Sequence, residues 1–429
     1  MSSRISTPSR RALGAARLLA VLLCAAIVAT ACGGGGDDDT EEAVVDETTT
    51  TTEAASAAAV DEDDDDVEPD DGEIELSPPT VRGPAPTLDV EPVEGYGLIT
   101  VISGEPLYGG LIAQLDADRN IVQAVALPPE AVPGTAPLTG LPLADDAIAD
   151  RPAIVAKVDN TASGRPQEAL SQADLVYVTQ IEGGFTRLAA VYHSQTPEVL
   201  GPIRSGRTTD ITVFSSFDTP IFAWSGANRV QLALIRRYEM LNYGAATRSE
   251  YFRADDRPGT YDLMTDPSVL WEIAAGEGAG GTPPAHFEYR DDTTGLPTSA
   301  EPAASFRIDY ASATMEYAWN GTGWLRTQNG EPHVDADGIQ LAPENVVVAE
   351  VRRVDTGTRD TAGSAVIEQQ FVGSGRGWVF TDGHVVQVVW TKPSLNSVAT
   401  WTTPDGVPVH LTPGQTWIEL APVDSVTLG

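Results

Sequence analysis

The chain has 429 residues, with 26 Lys or Arg against 62 Asp or Glu and a formal net charge of −36. So acidic a balance lacks the basic footprint that nucleic-acid binding requires, and no nucleic acid is expected as a partner. With only Cys24 and Cys32, both near the N-terminus, the folded part is expected to hold no disulfide, no thiolate metal site and no cysteine nucleophile.

Arg4, Arg10, Arg11 and Arg17 precede the first acid, Asp37, and an apolar stretch runs to Ala31. Small residues follow in Val28-Ala29-Thr30-Ala31-Cys32, and then four glycines. A positive region, an apolar region and a small-residue cleavage point make a secretory signal over residues 1–31. A cysteine at the first mature position reads as a bacterial lipobox, so Cys32 is the expected lipidation site. Its thiol would carry diacylglycerol and hold the chain on the outer face of the cell membrane. The alternative is an uncleaved anchor, because Leu13 to Ala31 is about long enough to span a bilayer. Ser9-Arg10-Arg11-Ala12-Leu13 leaves the general and the twin-arginine export routes both open. Either route ends outside the cytoplasm.

Residues 32–95 read as a disordered acidic stalk. Residues 33–97 hold 22 acids and one base, Arg82, including Asp37-Asp38-Asp39 and the run Asp61 to Asp66. Such a segment buries too little apolar surface to offset chain entropy, and its charge extends it. A short β preamble, 96–136, follows, with strand-like runs Leu98–Ile102 and Ile121–Leu127 and a proline-rich connector.

The remainder reads as α+β: an N-terminal α/β layered domain over 137–295, then a mostly antiparallel β domain over 302–429. In the first, Ala153–Val158, Leu175–Gln180, Arg187–Tyr192 and Ile221–Trp224 are predicted strands. Gly183-Gly184 makes a hairpin of the second and third. Pro166–Ala173 and Arg229–Glu239 are predicted helices, and strands alternating with helices imply layers. In the second domain, β-rich runs follow one another from Phe306 to Leu420. Asp337-Gly338, Asp382-Gly383 and Asp405-Gly406 mark hairpins between them.

No phosphate-binding Gly-x-x-x-x-Gly-Lys loop, His-Glu-x-x-His pair or Gly-x-Ser-x-Gly elbow occurs. The five histidines never fall in metal-ligand spacing, so neither a metal nor a cofactor is expected. His333-Val-Asp335-Ala-Asp337-Gly338 mimics a calcium loop, but Pro343 and Val346-Val347-Val348 forbid the exit helix, so it reads as a turn. What stands out is the polar and glycine residues at the ends of predicted strands, where α/β sheets hold ligands. They provide the candidate ligand-binding residues Asp159, Asn160, Arg165, Glu182, Arg187, Arg204, Ser205 and Arg207. Guanidinium forks suit phosphate or carboxylate, so Arg187, Arg204 and Arg207 would form an anion cradle. In the competing reading these arginines simply pair with Asp159, Asp174, Glu182 or Asp210. No catalytic residue is assigned.

The same residues carry a resemblance. Arg151-Pro152 with Asp159-Asn160, Arg165-Pro166-Gln167, Ala173-Asp174-Leu175-Val176-Tyr177, Glu182-Gly183-Gly184 with Thr186-Arg187, and Gly201-Pro202-Ile203-Arg204-Ser205 resemble the YerB-type family of bacterial lipoproteins. Asn345-Val346-Val347-Val348, Gly375 to Gly383, Trp390 and Pro413-Gly414-Gln415-Thr416-Trp417 resemble that family's C-terminal domain. The resemblance implies a lipid-anchored envelope protein of two domains and no settled activity. Lys157 departs from it, standing where an apolar strand residue is expected. Pro202, Arg204 and Asp210 also resemble, at different spacing, part of the pyrophosphate-binding pattern of LytR-CpsA-Psr cell-wall ligases.

The expected function is therefore a non-catalytic binding or scaffolding protein of the cell envelope, with a cell-wall glycan or an envelope protein as partner. The alternative is an enzyme or binder of phosphorylated or pyrophosphorylated wall precursors that uses the arginine cradle.

Overall fold

Every residue from Asn345 to Val351 is buried, although Val346-Val347-Val348 would point to both faces of any strand. A run of that kind needs cover on both sides and belongs at the centre of a sheet. The computed structural model of the chain puts it there. The structure describes residues 129–429, apart from 246–247, 292 and 361–362, together with an antiparallel pair, Thr87–Leu88 with Ile102–Ser103. The expected signal peptide, Cys32, all of the stalk but Thr87–Leu88, and most of the preamble lie outside the described residues. Among the described residues no helix is long and apolar enough to cross a membrane.

In chain order the elements are β1 (Ile154–Asp159), β2 (Leu175–Gln180), β3 (Thr186–Tyr192), α1 (Thr209–Phe214), β4 (Ile221–Ala223), α2 (Arg229–Ile235), β5 (Leu241–Asn242), β6 (Tyr251–Arg253), β7 (Leu263–Thr265) and α3 (Pro267–Gly276). There follow β8 (Ser305–Asp309), β9 (Thr314–Trp319), β10 (Trp324–Gln328), β11 (Asn345–Arg359), β12 (Ala365–Gln370), β13 (Gly373–Thr381), β14 (His384–Lys392), β15 (Thr400–Thr402), β16 (Thr416–Pro422) and β17 (Val426–Leu428).

One mixed sheet runs β14-β13-β11-β16-β2-β3-β1-β4-β5. The two sequence segments meet where β16 pairs in parallel with β2, from Thr416 opposite Leu175 to Glu419 opposite Val178. A smaller antiparallel sheet, β10-β9-β8-β17, packs on one face. Side chains alternate as strand geometry demands. Ile154, Ala156 and Val158 join a core with α3 and the small sheet, through Leu270, Trp271, Phe306 and Trp324. Val155 faces the other way, into a core with Ile211, Phe214, Trp224 and Ile235 from the α1 and α2 side.

The α+β expectation is thus corrected: the chain is mostly β, and its longest described helix, α3, has 10 residues. Two causes are visible. First, Gly183 and Gly184 both take positive φ (66° and 80°), and they fold β2 and β3 into an antiparallel hairpin. No crossover helix is then needed. Second, the predicted helix Pro166–Ala173 is irregular, with only a single 3₁₀ turn, Leu170–Gln172. Its backbone is claimed by distant strands instead, with Gln167 bridging Asp335 and Glu168 bridging Gly201. The predicted helix at 229–239 exists but stops at Ile235, because the chain must return to the sheet at Leu241. In the C-terminal half, the expectation of one antiparallel unit gives way to two sheets and the parallel β11–β16 pair.

Asp382-Gly383 closes the β13–β14 hairpin with both residues at positive φ, as a type I′ turn requires. Within β13, a Cβ on Gly375 would lie 2.7 Å from the Trp390 indole, so that glycine lets the ring lie against the strand.

Candidate functional site

Period-2 alternation puts Lys157, Asp159, Thr179 and Arg187 on the α1 face of the sheet, at the carboxyl ends of β1 and β2. Lys157 is fully buried, which explains its place in an apolar strand. Its Nζ meets Asp210 Oδ1 at 2.6 Å and donates to Thr179 Oγ1 at 2.8 Å. Burial lowers the Lys157 pKa, Asp210 opposes that shift, and Arg187 and Arg207 add to it.

The other candidates form the same kind of pair. Arg204 Nε lies 3.2 Å from Asp159 Oδ2, and its guanidinium also donates to Thr260 O at 3.0 Å. Arg207 Nε sits 2.8 Å from both Glu182 oxygens, and the Arg207 backbone N–H donates to Asp210 Oδ2 at 2.7 Å. Arg187 donates to Ser205 O at 3.0 Å. Ser205 Oγ is 3.3 Å from Ser225 Oγ.

The structure thus gathers Asp159, Glu182, Arg187, Arg204, Ser205 and Arg207 at one end of the sheet. The carboxylates and guanidinium groups face one another beneath the surface. None of Asp159, Glu182, Arg187, Arg204 or Arg207 is more than 5% exposed. Asn160 and Arg165 turn toward β10. Asn160 donates to Thr186 Oγ1 at 2.8 Å and accepts through its backbone carbonyl from Gln328 at 3.1 Å. Arg165 is half-buried, its pKa lowered first by burial and then by the nearby Arg326.

Sequence reasoning missed two features. Gln369 of β12 reaches into the cluster's rim: its side-chain Oε1 accepts from Gln180 N at 2.7 Å, and its backbone N–H donates to Thr209 Oγ1 at 3.0 Å. On the opposite face lies a second sealed network. Glu419 accepts from Tyr310 and Tyr317 hydroxyls, both at 2.6 Å. Arg326 donates to Tyr317 Oη at 2.9 Å, stands 4.6 Å above the Trp417 ring and bonds His333, which in turn meets Gln167 at 2.9 Å. The available signal was Glu419 itself, a carboxylate inside Trp417-Ile418-Glu419-Leu420.

Two buried histidines carry a pH consequence. Burial lowers the His193 pKa to about 4, aided by Arg151, and lowers the His286 pKa to about 3, aided by Lys392. Unfolded imidazoles take up protons near pH 6.5, so between pH 6.5 and about 4 the unfolded chain binds more protons. Stability should fall with falling pH in that window, by about 2 kcal/mol per histidine at pH 5. Asp174, whose pKa burial raises, acts in the opposite sense. Urea unfolding of His193→Gln and His286→Gln at pH 7 and pH 5 isolates the histidine share. An unchanged acid loss in both variants would refute it.

Among the described residues, two cavities on the surface bear on the site. One, of about 300 Å³, lies on the outer face of the small sheet beside Arg307, whose guanidinium is already held by Asp309 at 2.7 Å. The other, an open cleft of about 790 Å³, is lined by Arg236, Asn242, Arg248, Ser249 and Glu250.

Residues 138–280 match the family described as "Protein of unknown function (DUF3048) N-terminal domain". Residues 305–418 match its C-terminal domain. The chain is 27% identical over 317 residues to the "Putative lipoprotein YerB" of Bacillus subtilis (strain 168), covering 68% of this chain and 89% of that protein. The crystal structure of YerB protein from Bacillus subtilis shares the fold, with a TM-score of 0.59 and 24% identity over 69% of this chain and 99% of that one.

Proposed function

The chain belongs to the two-domain YerB-type family of unknown function, and from that premise we propose that it is an extracytoplasmic lipoprotein that binds or scaffolds in the cell envelope without catalysing a reaction. Two facts support the anchor: the basic, apolar and small-residue order that ends at Cys32, and the similarity to a protein named as a lipoprotein.

One observation carries the non-catalytic reading. The charged groups best placed to act on a substrate are spent on one another, in the Lys157–Asp210, Arg204–Asp159 and Arg207–Glu182 pairs. A guanidinium whose carboxylate partner lies within 3.2 Å, inside the protein, is a poor anion receptor, because a ligand must first displace that partner. The cluster then works as a frame that locks the strand ends, and the outer surfaces meet the partner: a wall glycan or an envelope protein.

Mass spectrometry of the mature N-terminus should find diacylglycerol on Cys32. A chain that retains residues 1–31, or carries an unmodified thiol, sinks the anchor. Cross-linking in intact envelopes should recover a glycan or protein adduct. Turnover of a pyrophosphorylated wall precursor that is abolished in a folded Arg204→Ala, Arg207→Ala variant would establish the enzyme instead.

A further inference from the structure

The open cleft beside β5 lies apart from the buried charge cluster, yet at the same, carboxyl, end of the sheet. β1, β4 and β5 run parallel, so Asn242 is the carboxyl end of the outermost strand. Crevices at that end of parallel strands are where ligands meet such sheets. We propose that this cleft binds an anionic saccharide, with guanidinium groups on its phosphate or carboxylate and neighbouring polar groups on its hydroxyls. The proposal deepens the envelope-binding reading and rests on it only for the choice of a saccharide.

The lining has a definite donor and acceptor order. An indole N–H only donates, and Trp224 Nε1 donates to Asn242 Oδ1 at 2.8 Å. The Asn242 carbonyl is thereby tied inward, and its two amide N–H groups have no protein acceptor among the described residues. Arg248 is held by the Tyr243 ring, 4.0 Å from its guanidinium carbon, and by Glu277 at 2.9 Å. This pair is at the surface, unlike the buried ones of the cluster, so it positions the guanidinium without sealing it off, while Glu277 takes up part of its charge and leaves Arg236 as the principal cation of the cleft. Arg236 is exposed and forms no ion pair among the described residues, in a chain with a large excess of acid. Glu250 supplies the opposite polarity: its Oε2 is buried and has no hydrogen-bond partner among the described residues. Buried polar atoms without partners are rare in native proteins, and a small outward turn of this side chain, which lines the cleft, would let a sugar hydroxyl donate to it. Ser249 adds a hydroxyl that donates or accepts. Two guanidinium groups, an amide donor, a hydroxyl and one free acceptor match a sugar that bears one anionic group better than a neutral sugar or a bare anion.

The test is calorimetric titration of the full-length chain with glucose 1-phosphate, glucuronate and glucose. At least one anionic sugar should bind, and glucose at least tenfold more weakly. Arg236→Ala should weaken the anionic sugar at least tenfold without moving the unfolding midpoint. Asn242→Asp keeps an acceptor for Trp224 but replaces the donor, and should weaken it similarly. No heat with either anionic sugar, equal affinity for glucose, or affinity unchanged in both variants overturns the site. An unacylated Cys32 would defeat the lipoprotein reading and leave the binding heats untouched, so the two failures are distinguishable.

Discussion

Asp210→Ala is expected to destabilise the fold by about 3–5 kcal/mol, the cost of leaving a buried charge without its partner. The charge is Lys157 Nζ, fully enclosed between β1 and α1, whose near contacts are Asp210 Oδ1 and Thr179 Oγ1. A hydroxyl does not neutralise an ammonium, and Arg187 and Arg207 lie close enough to disfavour its charge further. Asp210 also accepts from the Arg207 backbone N–H, which would lose that bond. Since domains are stable by only about 5–15 kcal/mol, the single variant should unfold at a much lower urea concentration. Lys157→Met combined with Asp210→Leu removes both charges. It should recover most of the loss, because a buried ion pair and a packed apolar pair are often close in stability. Denaturant midpoints of the two variants decide it. A single variant within about 1 kcal/mol of the parent would mean that another group already neutralises Lys157.

The second large effect concerns the two family segments. Residues 137–295 expressed alone should fail to unfold cooperatively, and co-expression with 302–429 should restore a cooperative transition. The reason is the seam. Without β16, the edge of β2 loses its parallel partner over four residue pairs, and Val176 and Val178 lose part of the core they share with Val346, Val348 and Trp417. Polar bonds cross the same seam. Gln415 donates to Leu170 O and Ala173 O at 2.8 and 2.7 Å, and Gln328 donates to Asn160 O. Each of these bonds is lost with the C-terminal segment, at about 0.5–1.5 kcal/mol apiece. A sharp, independent transition of the N-terminal piece would refute this view, and so would its well-dispersed amide spectrum.

The same seam explains what was and was not legible beforehand. β1, β2, β3 and the long β11 were visible as apolar runs bounded by glycine, proline and aspartate. The turns at Gly183-Gly184 and Asp382-Gly383 were visible because only a few residue types accept positive φ. Strand partners were invisible: nothing local in Trp417-Ile418-Glu419 says that it lies beside Val176-Tyr177-Val178. The helix predicted at Pro166–Ala173 failed for a related reason, since its backbone is satisfied by chain some 30 to 170 residues away. The site divides in the same manner. The clustering of Asp159, Glu182, Arg187, Arg204, Ser205 and Arg207 was legible in part: Asp159, Glu182 and Arg187 stand at or beside strand ends, and Arg204, Ser205 and Arg207 lie together on the segment that leads into α1. Their inward orientation was not, because it depends on α1 lying over them and delivering Asp210. The β5 cleft escaped notice entirely, since Arg236, Asn242, Arg248, Ser249 and Glu250 form no motif.

By itself, then, the amino-acid order determined the strand runs, the tight turns, the acidic balance and the family likeness, all properties of short segments and of composition. Tertiary structure alone decided that two segments share one sheet, that the arginines meet carboxylates rather than solvent, and that a polar cleft opens beside the last parallel strand. Those outcomes depend on contacts between residues far apart in the chain, and each is settled by the burial and pairing of groups that no local pattern brings together.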